Sequence, residues 1–558
     1  MMPLFRINPR RSWLALWALS YLLSAQSTPT RIYSLGSLTP LGEVLPLLQY
    51  AGEAHPLRMM LTPPILYLQS DGRVACLLCK ESPEVTIRRD DEKQTSEQVV
   101  TLILKKKLKW GDGEDLTRDD VKFTLLTMAK APYAEGRRPI LPIARIEMDP
   151  GQPNKISLVL RHRRSDFNQL FSIGLLPKHK AELVDKLLQL PPSDPQYGKL
   201  IQDPGLYYGS FQVAAASTTQ LLLTPNKKNE WEQSPQQDVL VRLFAGIPAL
   251  TLALQKDEID QTLARELSWT DYQDLIVSVP GLKDRYNPQF DSGHALEVML
   301  LNMRSPTLVN PAIRSAIFHA VNRQAINEKA FAGAAMTTEG LLHPDLQLRT
   351  GPKLPAAYQL EAASHLLDQA GWKRGPDGWR YSEKDVRLSL NLSCSVSRLK
   401  LGWQKQVAED LQKVGIELKI DSVPDADYLR QTLGHLRFKD AACMRWKLPP
   451  LSAPIQIFHS LSIPDAENSY VGSNFSGWEQ TSINRILENM MREPEVPHLL
   501  RLFGRLERQF TSDLPAIPIA YLPRVTLSRK SAPDPGTKDL QNTLATFPAE
   551  GERGRAKF

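Results

Sequence analysis

Cysteine is scarce in this sequence, and its distribution excludes two kinds of structural site. The 558 residues contain four cysteines, too few for a scaffold that depends on disulfides. Cys76 and Cys79 form a C-x-x-C pair, but Cys394 and Cys443 are isolated, so no second pair at zinc-site spacing accompanies it. In an exported protein one disulfide can form, and buried free thiols are the alternative. The sequence leaves this choice open.

Motifs of common catalytic and nucleic-acid-binding proteins are also missing. There is no Walker motif and no G-x-S-x-G sequence, and the ten histidines fall in no recognisable motif. An exported hydrolase would need a nucleophile and a base that these patterns do not supply. No block of lysine and arginine alternates with aromatic residues, so nucleic acid is not an expected partner. We therefore predict a protein that is not an enzyme and that has no metal or other cofactor.

Long apolar runs are limited to the N-terminus. Arg6, Arg10 and Arg11 precede the run Trp13 to Leu23, which is too short to span a bilayer comfortably. Small residues around Ala25 offer a cleavage site. The pattern predicts a secretory signal peptide over residues 1–25, a periplasmic location and no membrane span after processing. An N-terminal anchor that is not cleaved is the alternative.

What the chain does contain is an ordinary globular composition. Its length suffices for two or three domains with large cores, with 42% hydrophobic and 23% charged residues. Forty-three prolines against 30 glycines indicate many loops and stiff connections. The net charge of +7 is mild for this size and permits an anionic ligand or an acidic surface as partner.

One stretch predicts a strand, a tight turn and a capped helix in succession. The run from Val99 to Leu104 is apolar and β-branched, and Gly111-Asp112-Gly113 forms a turn. Thr117 and Asp120 have the spacing of a capping box, after which apolar residues continue at helical period. The acidic residues of this stretch could suggest a calcium loop. The glycine at its second position and the lysines before it do not fit one.

This stretch resembles a segment of the extracytoplasmic solute-binding proteins of ABC importers, in the peptide/nickel-binding family. Trp110, Asp112-Gly113 and Leu116-Thr117 match the family's "W-x-DG-x-PLT", and Asp120-Val121 matches the "DV" that follows. The most specific match is the later run from Asn302 to Ile326, which is similar to "lN…vRqAi-x-x-AiDR-x-x-I". The resemblance extends roughly from Leu61 to Leu522.

The resemblance implies an α/β protein with the two-lobed periplasmic-binding-protein fold and an extra inserted α/β domain, the three-domain cluster C type. Alternating helix and strand patterns between Glu361 and Ile420 agree with an α/β domain. We predict lobe one from residues 26–74 and 204–294, the inserted domain from 75–203 and lobe two from 295–511. Residues 512–530 would return to lobe one, and 531–558 would form a flexible tail.

The function implied is capture of a peptide or peptide-like solute between the lobes and delivery to the permease subunits of an ABC transporter. The importer, and not this chain, would hydrolyse ATP. A transcriptional regulator with a solute-binding-like sensor is one alternative, but it would need an N-terminal DNA-binding domain. A binder of a non-peptide anionic solute is the other.

The main ligand-binding candidates surround Trp446. Similar proteins use this tryptophan to line the cleft and an aspartate three residues later to hold the free amino group of the peptide. Here Pro449 occupies that later position, and Arg445 and Lys447 flank the tryptophan. Two cations without a carboxylate should repel an ammonium group and favour carboxylate, phosphate or a blocked peptide terminus. An acid such as Asp440 or Glu479 could compensate, and a core position is the alternative for Trp446.

Three further candidates come from shorter matches. Tyr133 lies in Ala131-Pro132-Tyr133-Ala134, similar to a "SPYA" segment whose tyrosine reaches the ligand in oligopeptide binders. A surface turn is its alternative. Pro63 lies in a segment that borders the ligand cavity in the family, and Tyr208 lies in a degraded "P-x-GTGPY". We predict that all three contact the ligand.

Overall fold

The computed structural model describes residues 32–38, 56–68, 74–90, 95–130, 143–165, 167, 173–229, 237–264, 266–344, 346, 358–448 and 451–532. Up to residue 285 the strands and helices are, in chain order, β1 (Tyr33–Ser37), α1 (Pro56–Leu61), β2 (Leu66–Leu68), β3 (Val74–Cys76), β4 (Glu84–Asp90), β5 (Thr95–Ile103), α2 (Arg118–Lys130), β6 (Ile143–Glu147), β7 (Lys155–Leu160), α3 (Ala181–Gln189), α4 (Pro195–Leu200), β8 (Phe211–Ala216), β9 (Gln220–Pro225), β10 (Val239–Leu243), α5 (Ile247–Gln255), β11 (Gln261–Thr262), β12 (Leu267–Ser268), α6 (Trp269–Ser278) and α7 (Leu282–Arg285).

The rest of the described chain continues with β13 (Tyr286–Leu301), α8 (Pro311–Ala320), α9 (Arg323–Phe331), β14 (Met336–Thr337), α10 (Leu360–Gln369), β15 (Lys373–Arg374), β16 (Arg380–Tyr381), β17 (Ser389–Ser395), α11 (Val396–Leu399), α12 (Trp403–Lys413), β18 (Glu417–Val423), α13 (Asp425–Asp427), β19 (Ala441–Lys447), α14 (Ile455–Phe458), α15 (Thr481–Arg492), α16 (Val496–Asp513) and β20 (Ala516–Arg529).

A sheet of twelve strands runs through the molecule. Its order is β18-β17-β19-β13-β20-β11-β1-β10-β9-β8, with β12 and β14 paired to β20. Strands β13 and β20 are long and antiparallel, and they lie where the two halves of the sheet meet. We call the β8, β9, β10, β1 and β11 side the first lobe, and the β19, β17 and β18 side the second lobe.

The register of the β13–β20 pair shifts twice, close to two prolines. Pro523 pairs with Ser292 and Pro518 pairs with Val298, and each pairing adjoins one of the two irregularities. A proline cannot donate a hydrogen bond to a neighbouring strand, so it is tolerated inside a sheet mainly at a bulge. The irregularities therefore follow from the sequence of β20.

Both faces of the second-lobe sheet are covered, because side chains alternate along its strands. Met299 and Leu301 belong to a core formed with α8, α9, α10 and α12. Val298 and Leu300 belong to a second core formed with α15 and α16. A strand that is buried on both faces has a continuous apolar sequence, as β13 has from Val298 to Leu301.

A separate sheet of four strands, in the order β4-β5-β7-β6, lies within the range predicted for the inserted domain. Its core includes Val100, Leu158, Trp110 and Leu125, so α2 and the turn before it pack on this sheet. The predicted strand, turn and helix are confirmed here. The exact domain boundaries stay a prediction.

Asp120 fixes the start of α2 and connects it to a distant segment. Its carboxylate accepts hydrogen bonds from the backbone N–H of Thr117 at 2.8 Å and of Lys178 at 2.8 Å. Burial raises the pKa of Asp120, although these backbone donors oppose the rise. The turn residue Asp112 binds the ring of His179 at 2.9 Å. The acidic residues of the motif thus hold two chain segments together.

All four cysteines are paired, which answers the question that the sequence left open. Cys76 bonds to Cys79, and Cys394 bonds to Cys443. The second disulfide joins β17 to β19 and is fully buried. The two bonds close loops of very different length, with sequence separations of 3 and 49.

We expect the longer loop to matter more for stability. Replacing Cys394 and Cys443 by alanine should lower the free energy of unfolding by about 4 kcal/mol, because the unfolded chain regains the entropy of a long loop. The matched pair Cys76→Ala and Cys79→Ala should cost about 2 kcal/mol on the same loop-entropy argument. Urea denaturation of the oxidised proteins measures both values. Equal losses for the two pairs would contradict the loop-entropy explanation.

Candidate functional site

The carboxyl ends of three parallel strands meet at one edge of the second lobe. Strand β17 is parallel to both β18 and β19, so their last residues, Ser395, Val423 and Lys447, point to the same side. Ligands of open α/β sheets bind beyond the carboxyl ends of the strands. We call this region, with Glu297, Ser397, Arg398, Asp425 and Arg445 as its polar residues, the polar edge.

A buried carboxylate holds two arginines at the polar edge. Glu297 is fully buried and lies opposite Arg445 in the β13–β19 register. Arg445 Nε donates to Glu297 Oε1 at 2.7 Å, and Arg398 Nη1 donates to the same oxygen at 2.8 Å. A carboxylate removed from water needs such partners, since an unpaired buried charge is costly. The geometry therefore fixes both guanidinium groups in place.

The two arginines keep unused hydrogen-bonding capacity toward solvent. Their side chains are 22% exposed for Arg398 and 27% exposed for Arg445, whereas that of Glu297 is 0% exposed. Each guanidinium group carries five N–H donors, so the two groups present ten. Glu297 accepts hydrogen bonds from only some of these donors. Two guanidinium charges face the Glu297 carboxylate, and the charge of Asp425 also acts on Arg398, so the five polar-edge residues together have a net charge of about zero. This arrangement can bind a carboxylate or a phosphate.

The helix that carries Arg398 is itself anchored to the neighbouring strand end. Ser395 caps α11, accepting a hydrogen bond from Arg398 N, and Ser397 Oγ donates to Asp425 Oδ1 at 2.5 Å. The hydroxyl of Ser397, followed by that of Ser395, holds the pKa of Asp425 below its usual value. These contacts position the Arg398 side chain through short, local bonds.

Trp446 lies on the opposite face of β19 from Arg445. Its side chain is buried in the second-lobe core, with the ring of Phe458 at 5.1 Å and that of Phe510 at 6.2 Å, both edge-on. Among the residues with a described position, none accepts a hydrogen bond from its Nε1. Whether this ring contacts a solute stays a prediction.

The predicted absence of a carboxylate beside the two cations is wrong for Arg445. Arg445 does not lack a carboxylate, because Glu297 neutralises part of its charge. Asp440 is not the compensating acid either, since it is buried at the other end of β19, bound to Ser305 Oγ at 2.6 Å and to Asn391 N at 3.0 Å. Lys447 is exposed at the strand end, and Pro449 lies outside the described residues.

Sequence reasoning missed Glu297 and Arg398. A signal for Glu297 existed, because it is a single acid at the start of the apolar run Val298 to Leu301. An acid in a buried strand needs a partner. No sequence pattern identified that partner, which lies 101 residues away at Arg398.

The remaining predicted site residues lie elsewhere or are not described. Pro63 and Tyr208 are brought together, since Tyr208 Oη donates to the Pro63 carbonyl at 2.6 Å and accepts from Leu175 N at 2.9 Å. Tyr208 packs edge-on against Trp110 in the core of the four-stranded sheet, apart from the core that holds Trp446. Tyr133 lies outside the described residues. Their roles in binding stay predictions.

Metal-binding clusters and membrane-spanning helices are both absent from the described part of the chain. No cluster of three or more histidine, cysteine or acidic side chains is arranged to hold a metal ion within those residues. Of the helices that the structure describes, none is long and apolar enough to cross a membrane.

Comparison with known proteins identifies the family. The model of the bacterial extracellular solute-binding proteins, family 5, matches residues 86–454. A relative from Brucella ovis, named as an ABC transporter peptide-binding protein, is 26% identical over 277 residues, which cover 48% of this chain and 48% of the relative. The chain thus spans about half the length of that relative. The oligopeptide-binding protein AppA of Bacillus subtilis is 22% identical over 426 residues, covering 74% of this chain and 73% of AppA.

Solved structures show the same fold. The structure of AppA from Bacillus subtilis in complex with a nonapeptide has a TM-score of 0.52 at 18% identity and covers 93% of this chain and 99% of AppA. That of NikA from Brucella suis in complex with Fe(III)-EDTA has a TM-score of 0.61 at 16% identity and covers 90% and 96%. The predicted two-lobed periplasmic-binding-protein fold with an extra domain is confirmed. The chain belongs to the bacterial extracellular solute-binding proteins of family 5.

Proposed function

We propose that this protein captures a peptide or peptide-like solute between its lobes and delivers it to the permease subunits of an ABC transporter. It would act outside the cytoplasmic membrane and catalyse no reaction. The family, which is one of binding proteins, supports this proposal. So do the names of two relatives, an ABC transporter peptide-binding protein and an oligopeptide-binding protein. The regulator alternative gains no support from these names.

The observation that carries the proposal for the solute is the pair of arginines held by Glu297. Both side chains are partly exposed at the carboxyl ends of parallel strands, where ligands of such sheets bind. Because both guanidinium groups keep N–H donors that Glu297 does not occupy, we propose that the solute presents a carboxylate or another anionic group to Arg398 and Arg445. Lys447, exposed on the same strand, would add to the attraction.

A non-peptide anionic solute is the second candidate. The same two arginines would bind a polycarboxylate as well as a peptide terminus, because recognition by guanidinium groups depends on the planar anion. The NikA structure was determined with Fe(III)-EDTA, a complex of a polycarboxylate. A peptide would present its backbone beside the anionic group, whereas a non-peptide solute would not.

Trp446 would contribute to the site through its indole nitrogen. Its buried N–H has no acceptor in the described part of the chain, and an unpartnered buried donor is unfavourable. We propose that a solute carbonyl accepts this hydrogen bond while the ring itself remains packed in the core. We propose from the family match alone that Pro63, Tyr208 and Tyr133 also contact the solute.

The pairing of all four cysteines in disulfides supports export from the cytoplasm. Both disulfides are formed in the structure, and disulfides persist in oxidising compartments such as the bacterial periplasm. The proposed signal peptide, residues 1–25, lies outside the described residues.

The proposed role of Arg398 and Arg445 can be tested by measuring the affinities of a tripeptide and of its N-acetylated, acidic analogue. We expect the analogue to bind more tightly, and Arg398→Gln to weaken its binding about 10- to 100-fold, since a hydrogen bond to a charged group contributes about 1.5–3 kcal/mol. Isothermal titration calorimetry gives both affinities. Arg387→Gln is the matched control, because that exposed arginine pairs with Asp377 and Glu417. Tight binding of the free tripeptide that acetylation abolishes would instead reveal a carboxylate anchor for the amino group.

The burial of Trp446 leads to a separate prediction. Trp446→Ala should lower the free energy of unfolding of the ligand-free protein by about 3–5 kcal/mol, as large-to-small changes in a core do. Trp446→Phe keeps the ring packing and should lose much less, but it removes the N–H and should weaken solute binding. Urea denaturation and calorimetry separate the two effects. Unchanged stability of Trp446→Ala with weakened binding would place the ring at the cleft surface.

Export can be tested on protein purified from the organism that produces it. We expect N-terminal sequencing to find a mature chain that begins near Ala25, and thiol alkylation to label no cysteine before reduction, because all four are in disulfides. Cytoplasmic protein with an intact Met1 and reactive thiols would contradict export.

A further inference from the structure

The hairpin formed by α15 and α16 carries an open surface cavity with a cationic lining. The cavity has a volume of about 430 Å³, within the range of about 300–1,000 Å³ of small-molecule sites. Its polar lining residues are Asn489, Arg492, Glu493, His498, Arg501 and Arg505. None of them belongs to the polar edge, so this cavity is separate from the proposed solute site.

The three arginines of this cavity have no counter-ion among the described residues. No carboxylate of that part of the chain lies within ion-pair distance of Arg492, Arg501 or Arg505. The nearby acid Glu493 is engaged elsewhere, with its Oε2 at 3.7 Å from the ring of His498 and its Oε1 bound to a backbone N–H.

Some exposed arginines elsewhere, such as Arg89, Arg304 and Arg485, likewise have no carboxylate partner among the described residues, whereas others are paired. Arg145, for example, lies 2.6 Å from Glu97 and 3.0 Å from Glu147, and Arg88 lies 2.9 Å from Glu147. Leaving like charges at positions i and i+4 of a helix, as with Arg501 and Arg505, is destabilising. What distinguishes the hairpin is that three such arginines line one surface cavity.

A second basic segment is brought to the same place by a contact between distant parts of the chain. The backbone N–H of Ser165 donates to the carbonyl of Met491, next to Arg492, at 3.1 Å. Ser165 ends the basic sequence Arg161 to Arg164. The buried side chain of Gln98 fixes this loop, binding the backbone of Arg164 at 2.7 and 3.0 Å. The fold thus adds positive charge to the rim of the hairpin.

We propose that the hairpin cavity is a binding site for a phosphate-bearing anion, either free phosphate or the headgroup of an anionic lipid. Guanidinium groups from two helices converge on one concave site, and their planar donors match phosphate oxygens in pairs. An anion there would supply the missing counter-charge for Arg492, Arg501 and Arg505.

The first experiment titrates inorganic phosphate into the full mature protein by calorimetry at low ionic strength. We expect saturable binding, weakened about 100-fold in the double variant Arg501→Gln/Arg505→Gln, because each charge-assisted contact accounts for about a tenfold change. Lys122→Gln/Lys186→Gln is the control, since it removes the same charge from two exposed helix positions of other segments. Thermal melting should show that both double variants fold like the parent protein.

The second experiment identifies the source of the phosphate group. Co-sedimentation uses vesicles of phosphatidylglycerol mixed with phosphatidylcholine, and vesicles of phosphatidylcholine alone. Sedimentation with the anionic vesicles only, lost in the arginine variant and kept in the lysine variant, would assign a lipid headgroup. Binding of inorganic phosphate without such sedimentation would assign a free anion.

Two results would overturn the proposal. One is that neither phosphate nor anionic vesicles bind the folded protein. The other is that the arginine and lysine variants lose binding to the same extent, which would mean a general charge effect. Neither result bears on the solute site, because the calorimetric test of Arg398 uses different residues and a different ligand.

Discussion

The antiparallel pairing of β13 with β20 is the constraint on which the rest of the structure depends. These strands form the middle of the twelve-stranded sheet, and β20 also pairs with β11, β12 and β14. The end of β20 is tied into the first lobe by Arg529, which pairs with the fully buried Asp260, and Asp260 also accepts from Ser34 N at 2.9 Å. The C-terminal half of β13, which pairs with β19 in the second lobe, carries Glu297. The same strand pair therefore connects the lobes and sets the base of the polar edge.

Much of the fold could be predicted because the recognisable motifs consist of residues that cap helices or make buried contacts. Arg323, in the most specific of these motifs, is fully buried, donates to the carbonyl of Pro518 at 2.7 Å and lies over the ring of Phe318. Burial lowers its pKa to about 10. Asn310 caps α8 as its sequence context predicts, with Pro311 in the first turn. Caps, buried arginines and helical periods are short-range or strongly patterned features, so they are visible in one sequence.

The site was predicted less well, for the opposite reason. Glu297 is 101 residues from Arg398 and 148 residues from Arg445, and no local pattern indicates which charges will meet across a sheet. The same holds for the pairing of Cys394 with Cys443, which depends on the adjacency of β17 and β19. Trp446 shows the limit of a motif, because the family match places the residue on β19 but does not say which face it occupies. Alternation along the strand puts it opposite Arg445.

Buried acids and exposed arginines are stabilised in different ways. Buried acids such as Asp120 and Asp440 are satisfied by backbone and hydroxyl donors, whereas exposed arginines include both paired residues such as Arg145 and residues such as Arg304 without a described carboxylate partner. At the polar edge one carboxylate serves two arginines, and at the α15–α16 hairpin the described residues offer the arginines no carboxylate at all. Positive charge that the chain does not neutralise costs stability through mutual repulsion. Both groups of arginines keep N–H donors for the anionic ligands proposed above.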